Sequence, residues 1–220
     1  MTAWMRNNGL FLVNAALFIV FLAGMSVTGW QTANQDLVDH GRAAETFGAF
    51  LGSGDFFEAV FENWESEFLQ MGSYVVLTIF LFQKGSSESK PIGKTAPQDE
   101  DPRRHRGDPK APWPVRRGGL WLVLYENSLL ILFAVLFLAS FAGHAIGGAA
   151  AYSEEQQLHG GAVVTPLAYL GTSQFWFESF QNWQSEFMVV AVLALAAVYL
   201  RQRGSPESKP VAAPHAETGT

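Results

Sequence analysis

Two carboxylates, Glu67 and Glu186, sit in an octet that the chain writes twice, FENWESEF at 61–68 and FQNWQSEF at 180–187. In each copy an asparagine, Asn63 or Asn182, precedes the glutamate by one helical turn, so an amide donor and a carboxylate share a face. Each octet runs straight into an apolar stretch, which brings the carboxylate close to hydrocarbon. A charged group there costs about 2.5–3.5 kcal/mol on insertion scales, so it turns to the protein interior, pairs, or serves a transport path. Two chemistries follow. The glutamates form a symmetric proton or ion site, or each accepts hydrogen bonds from a neighbouring helix or loop and holds a hairpin together. Counted from Lys84, Glu67 lies about 25 Å along a helix axis, near the edge of the slab rather than its midplane, which favours the second.

Histidine offers the next chemistry. His40 and His159 close the similar stretches QDLVDHG and EEQQLHG, which read as short helices ending in a glycine cap, with the imidazole at the helix C-terminus. His144 lies at the outer end of the third apolar run, where the other copy has Met25. It is a partner for Glu67 or Glu186 in a pH-sensitive pair, or an interfacial histidine of no special role. No closely spaced histidines mark a metal site, and the expectation is no metal and no cofactor. Nor is there a nucleophile elbow, a His-Glu-x-x-His helix or a phosphate loop, and with no cysteine the chain has no thiolate chemistry. No catalytic residue is expected, and Glu65 and Glu67, two apart on a helix, do not converge on one face.

The elements that position these residues are membrane spans. Hydrophobic residues make up 49% of the chain and charged residues 15%, a balance suited to lipid. Leu10 to Trp30 and Leu120 to Gly143 are long enough to cross the roughly 30 Å hydrocarbon core. Phe68 to Phe82 and Phe187 to Leu200 suffice only if their helices begin upstream, inside the octets. Ser53 or Asp55, and Thr172 or Ser173, are suitable N-caps, and Phe57, Phe61, Trp64 and Phe68 recur at helical spacing. The predicted spans are about 10–30, 64–83, 120–143 and 183–202.

The first run could serve as a leader peptide, but it has a mid-chain counterpart. A shift of 119 residues superposes 8–91 on 127–210, pairing His40-Gly41 with His159-Gly160, Asn63-Trp64 with Asn182-Trp183, and Glu88-Ser89-Lys90-Pro91 with Glu207-Ser208-Lys209-Pro210. The expected fold is an all-α integral membrane protein of four transmembrane helices, built from two tandem, parallel-related helical hairpins, each with a long, interface-crossing second helix. Its hairpins occupy 1–83 and 120–203. A disordered linker, 84–119, joins them, and a disordered tail follows, 204–220. Gly143 and Gly147, matched by Gly24 and Thr28, form a small-xxx-small face for close helix packing.

Basic residues orient the chain. Of fourteen Lys and Arg, only Arg42 falls in the segments 31–67 and 150–186, so both termini and the linker are expected to be cytoplasmic. Trp30, Trp64, Trp121 and Trp183 are expected as interfacial anchors. RRHR at 103–106 reads as a juxtamembrane basic patch facing lipid, not nucleic acid. The partners expected are the lipid bilayer and a second copy or another membrane protein.

The paired NNGL and ENSL starts, the FLAG and FAGH segments, the NWxSEF octets and the G-S-x-E-S-K-P exits together resemble an uncharacterised family of bacterial integral membrane proteins, a domain of unknown function. The resemblance implies a bacterial cytoplasmic membrane. It brings no substrate or catalytic residue. Between a structural or interaction protein and a small proton or cation transporter, the crowding of polar groups at the outer edge favours the first.

Overall fold

The computed structural model describes residues 2–219, and every regular element among them is helical. A short α1 (Ala3–Asn7) precedes α2 (Gly9–Asp39), α3 (Phe47–Phe50) and α4 (Gly54–Phe80); α5 (Trp113–Arg117) and α6 (Gly119–Glu126) precede α7 (Ser128–Leu158), α8 (Pro166–Tyr169) and α9 (Ser173–Tyr199). Both bounds of α7, α8 and α9 lie 119 residues after those of α2, α3 and α4. The shared sequence pattern thus produces the same starts and stops twice.

Among the described residues three helices are long and apolar enough to cross a membrane: α2, α7 and α9, with mean hydropathies of 2.4, 2.4 and 1.3 over their most apolar windows. Helix α4 equals α9 in length at 27 residues, but Asp55, Glu58, Glu62, Glu65 and Glu67 load its first half with charge, and it stands outside that set.

Local chemistry explains the ends. Ser53 Oγ accepts from Phe56 N at 3.2 Å and Thr172 Oγ1 from Phe175 N at 3.3 Å, so both long second helices start upstream of their octets, as predicted. At the far ends of α2 and α7 no separate short helix forms. The two helices simply continue to Asp39 and Leu158, where His40 Nδ1 lies 2.9 Å from Asp36 O and His159 Nδ1 lies 3.0 Å from Glu155 O. Gly41 and Gly160 then turn the chain at φ 72° and 77°, the left-handed region that glycine enters without cost.

The run 120–143, expected as one span, is broken. Asn127 leaves helical geometry at φ −109°, ψ 8°, and its side-chain amide donates to Val123 O at 2.8 Å. That local bond competes with the helix ladder and separates α6 from α7. Asn8 does the same between α1 and α2, donating to Trp4 O at 2.9 Å.

The chain forms two compact units, Met1–Phe61 with Gly143–Phe175, and Glu62–Ala142 with Trp176–Thr220. In the first unit, α7 meets the first turns of α4 backbone to backbone. A Cβ on Gly147 would lie 2.6 Å from Glu58 N, and one on Gly54 would lie 2.5 Å from Ala151 N. The small-residue face at Gly143 and Gly147 is therefore used. Its expected counterpart is not: a Cβ on Gly24 would meet nothing within 4 Å, and the Thr28 hydroxyl turns back to Gly24 O at 2.9 Å. Connecting segments are clipped alike in both helix sets. Asn34 exchanges bonds with Glu45 N and O (2.7 and 3.1 Å), and Ser153 with Val164 N and O (2.9 and 3.2 Å).

In the second unit, Phe68, Gly72 and Val76 of α4, Phe133 and Phe137 of α7 and Phe187 of α9 line an apolar cleft. The linker and tail, expected to be disordered on composition, instead carry short hydrogen-bonded turns. Asp101 accepts from Arg103 N at 3.0 Å, Asp108 accepts from Lys110 N at 2.8 Å, and Lys209 Nζ donates to the carbonyls of Pro214, His215 and Glu217. These are local bonds that need no apolar core. Both exits close on a serine: Gln83 N donates to Ser89 Oγ at 2.8 Å and Gln202 N to Ser208 Oγ at 2.9 Å.

Candidate functional site

Polar side chains gather in two places, one in each unit. In the second unit the octets hold each other. Glu65, fully buried, accepts the indole N–H of Trp183 on Oε1 at 2.9 Å, and Phe137 sets its ring edge-on to the same indole at 6.4 Å. A buried carboxylate needs such a donor, because losing water unpaired costs far more than one hydrogen bond returns.

Sequence reasoning put weight on Glu67 and Glu186 instead. They come close enough for their charges to oppose each other, with Glu67 exposed and Glu186 half-buried. The expected amide donation within the second octet is not made: Asn182 Nδ2 bonds the Glu178 carbonyl, one turn back, at 3.2 Å. Asn63 lies exposed. Glu65 had a readable signal, since it follows Phe61 by four residues and so shares the apolar stripe of α4.

The other place is in the first unit, around His144, whose exposure is 0%. Its imidazole stacks on Phe175 at 4.6 Å between centroids. Tyr169, equally buried, sets its ring edge-on to Phe175 at 5.6 Å and donates its hydroxyl to Glu58 Oε1 at 3.0 Å. A ligand atom of Glu58 and one of His144 lie within 4.8 Å of each other. The carboxylate beside His144 is thus Glu58, where Glu67 or Glu186 was expected. A Cβ on Gly148 would strike both Tyr169 and Glu58 at under 3 Å, so the glycines of α7 make the room in which this group packs.

The first unit also gathers acids outside the apolar stretches. Desolvation, then the charges of Glu154, Asp36 and Glu155, holds the carboxyl of Asp55 above its ordinary range. Desolvation, with Asp55 and Glu154, does the same to Glu45. Among the expected aromatic anchors, Trp30 donates its indole to Glu45 O at 2.9 Å and pins the 40–46 segment. Trp64 is half-buried, and Trp121 stays exposed with its ring against Trp113 at 5.4 Å.

A family model described as Domain of unknown function (DUF6766) matches residues 1–220. The chain belongs to this family. No curated protein and no solved structure matches it. For this DUF6766 chain the apolar helices α2, α7 and α9 are compatible with a membrane protein, and the two polar groups above are where its chemistry can reside.

Proposed function

We propose that this chain is a non-enzymatic structural or interaction protein of the bacterial cytoplasmic membrane. It spans four times as two tandem hairpins, with both termini and the linker cytoplasmic. The fourth span is α4, whose length and bounds match those of α9, and the distribution of Lys and Arg supports the orientation. One observation carries the reading: the buried carboxylate of the first octet is used up on the indole of the second, Glu65 on Trp183. The repeated polar motif thus works as a latch between α4 and α9, where a conduction path would leave its carboxylate open to a passing ion. The bilayer and a second copy or another membrane protein are its partners, and nucleic acid is not.

A second reading has its own support. Glu67 and Glu186 bring two like charges together, as a cation path would. Reconstitution in liposomes separates the two. With wild type and the Glu67→Gln, Glu186→Gln double variant, the latch predicts no proton or monovalent-cation flux from either and a melting temperature that depends on Glu65. Flux in wild type that the folded double variant lacks would replace the latch with a transporter.

A further inference from the structure

We propose that the exit of the first helix set holds a binding site for the phosphodiester headgroup of an anionic phospholipid, with Lys84 and Lys94 as its cations and the tail as its wall. The inference rests on the membrane reading above, which puts the end of α4 at the level of lipid headgroups.

The cavity comes first. Lys84, Pro91, Ile92 and Lys94 line a space of about 550 Å³ together with the tail residues Ala216 to Gly219, all within the second unit. Its two walls are tied to each other. Gly85 N donates to Thr218 Oγ1 at 2.8 Å, Gly219 N donates to Ser86 O at 3.0 Å, and a Cβ on Gly219 would lie 3.1 Å from the Pro91 ring. Buried Lys209 gathers the tail before it reaches the cavity, through the carbonyls of Pro214, His215 and Glu217.

Charge selects the ligand. Lys84 and Lys94 are exposed, and neither belongs to an ion pair among the described residues, whereas Lys90 between them is spent on Asp99 at 2.6 Å. Glu217 is the one acid on the lining, so the two lysines leave a single positive charge uncompensated. A phosphodiester brings one negative charge and oxygens that accept from ammonium groups.

The surroundings select a lipid over a soluble phosphate. Phe80, Leu81 and Phe82, just before Lys84, are exposed, as is Ile92 on the lining. Apolar side chains that run straight into a cationic cavity suit a molecule with acyl chains at one end and a phosphate at the other.

The second exit repeats the pattern. Arg203, Pro210 and Val211 stand 119 residues after Lys84, Pro91 and Ile92, and they too line a cavity, of about 840 Å³. Ala213 takes the place of Lys94 there, and Lys209 on that lining is spent on carbonyls, so the first exit is the stronger site.

The test titrates the full chain in detergent with phosphatidylglycerol or phosphatidylcholine and counts retained lipid by native mass spectrometry. Wild type should retain phosphatidylglycerol in preference to phosphatidylcholine. The Lys84→Gln, Lys94→Gln double variant should bind phosphatidylglycerol about thirtyfold more weakly, at about fivefold per lysine, with an unchanged melting temperature. Arg103→Gln with Arg104→Gln removes the same charge from an exposed turn off the lining and should change binding by less than about twofold. Thr218→Val leaves charge untouched but deprives the Gly85 N–H of its acceptor, and should weaken binding about twofold or more. Equal retention of the two lipids by wild type, or equal losses in the lysine and arginine double variants, overturns the site. Saturation by inorganic phosphate with no retained phosphatidylglycerol also overturns it, in favour of a soluble phosphate. These readouts need neither ion flux nor the Glu65 latch. A chain that melts as the latch predicts but shows no headgroup preference loses this site alone, whereas one that dissolves without detergent loses the membrane reading and the site together.

Discussion

Helices α2 and α7 are the same length and begin and end at matching points of the sequence, yet they lead different lives. The apolar window of α7 is 17% buried and that of α2 6%. Helix α7 presents Gly143, Gly147 and Gly148 to the backbone and rings of other elements, whereas Gly24 of α2 faces open space. Helices with matching sequence patterns therefore share their ends, which are set by local caps, without sharing their contacts, which depend on single side chains. The buried imidazole belongs to the clasped helix, and the exposed one has a methionine in its place.

That contrast breaks most easily at glycine. Gly147→Ala places a methyl against the Glu58 backbone and should cost about 1–3 kcal/mol, while Gly24→Ala, in the open, should be neutral or stabilise by about 0.5–1 kcal/mol through helix propensity. Thermal unfolding in one detergent compares them directly. Equal shifts would mean that α2 is clasped as tightly as α7.

The octets allow a second comparison of smaller size. Glu65→Ala orphans the Trp183 indole and should cost about 1.5–3 kcal/mol, with a change in tryptophan emission as the indole loses its acceptor. Its counterpart Gln184 is exposed and bonds Gln181 O within its own helix, so Gln184→Ala should stay within about 0.5 kcal/mol. Similar losses at both positions would make the latch symmetric.

The smallest effect is a pH response confined to the first helix set. Asp55 is held above its ordinary value by desolvation and neighbouring acids, so folding favours its protonated form. Its contribution is then harmless below about pH 4 and becomes a penalty as pH rises through the raised value. Asp55→Asn should raise the melting temperature at pH 7, with the gain shrinking to nothing near pH 4. The second set has Gln174 at this position, and Gln174→Ala should show no such pH dependence. A gain that does not vary with pH would assign it to something other than charge.

These comparisons also mark how far the residues could be read in advance. Starts and stops were legible because a cap is a local event: Ser53, Thr172, His40 and His159 act on groups three or four residues away. The break at Asn127 was visible only as an interruption in an apolar run, since whether an amide faces outward or bonds its own helix depends on a rotamer that no pattern specifies. Glu58 and Glu65 were passed over for a different reason. Seven residues apart, they share the buried side of α4, but their partners Tyr169 and Trp183 lie 111 and 118 residues along the chain, and periodicity carries no information about such pairings. Glu67 drew attention because it is shared between the octets, whereas half-buried Glu58 and buried Glu65 have no glutamate at the position 119 residues on.

The serine exits have an engineering consequence. Because Ser89 and Ser208 each accept from a backbone N–H six residues upstream, each stretch closes its own end within its own sequence. A fluorescent domain or protease site inserted between the 3-10 turns Pro97–Asp99 and Pro102–His105 leaves both closures intact, so the two halves of the gene can be spaced apart or cut apart there without unravelling α4.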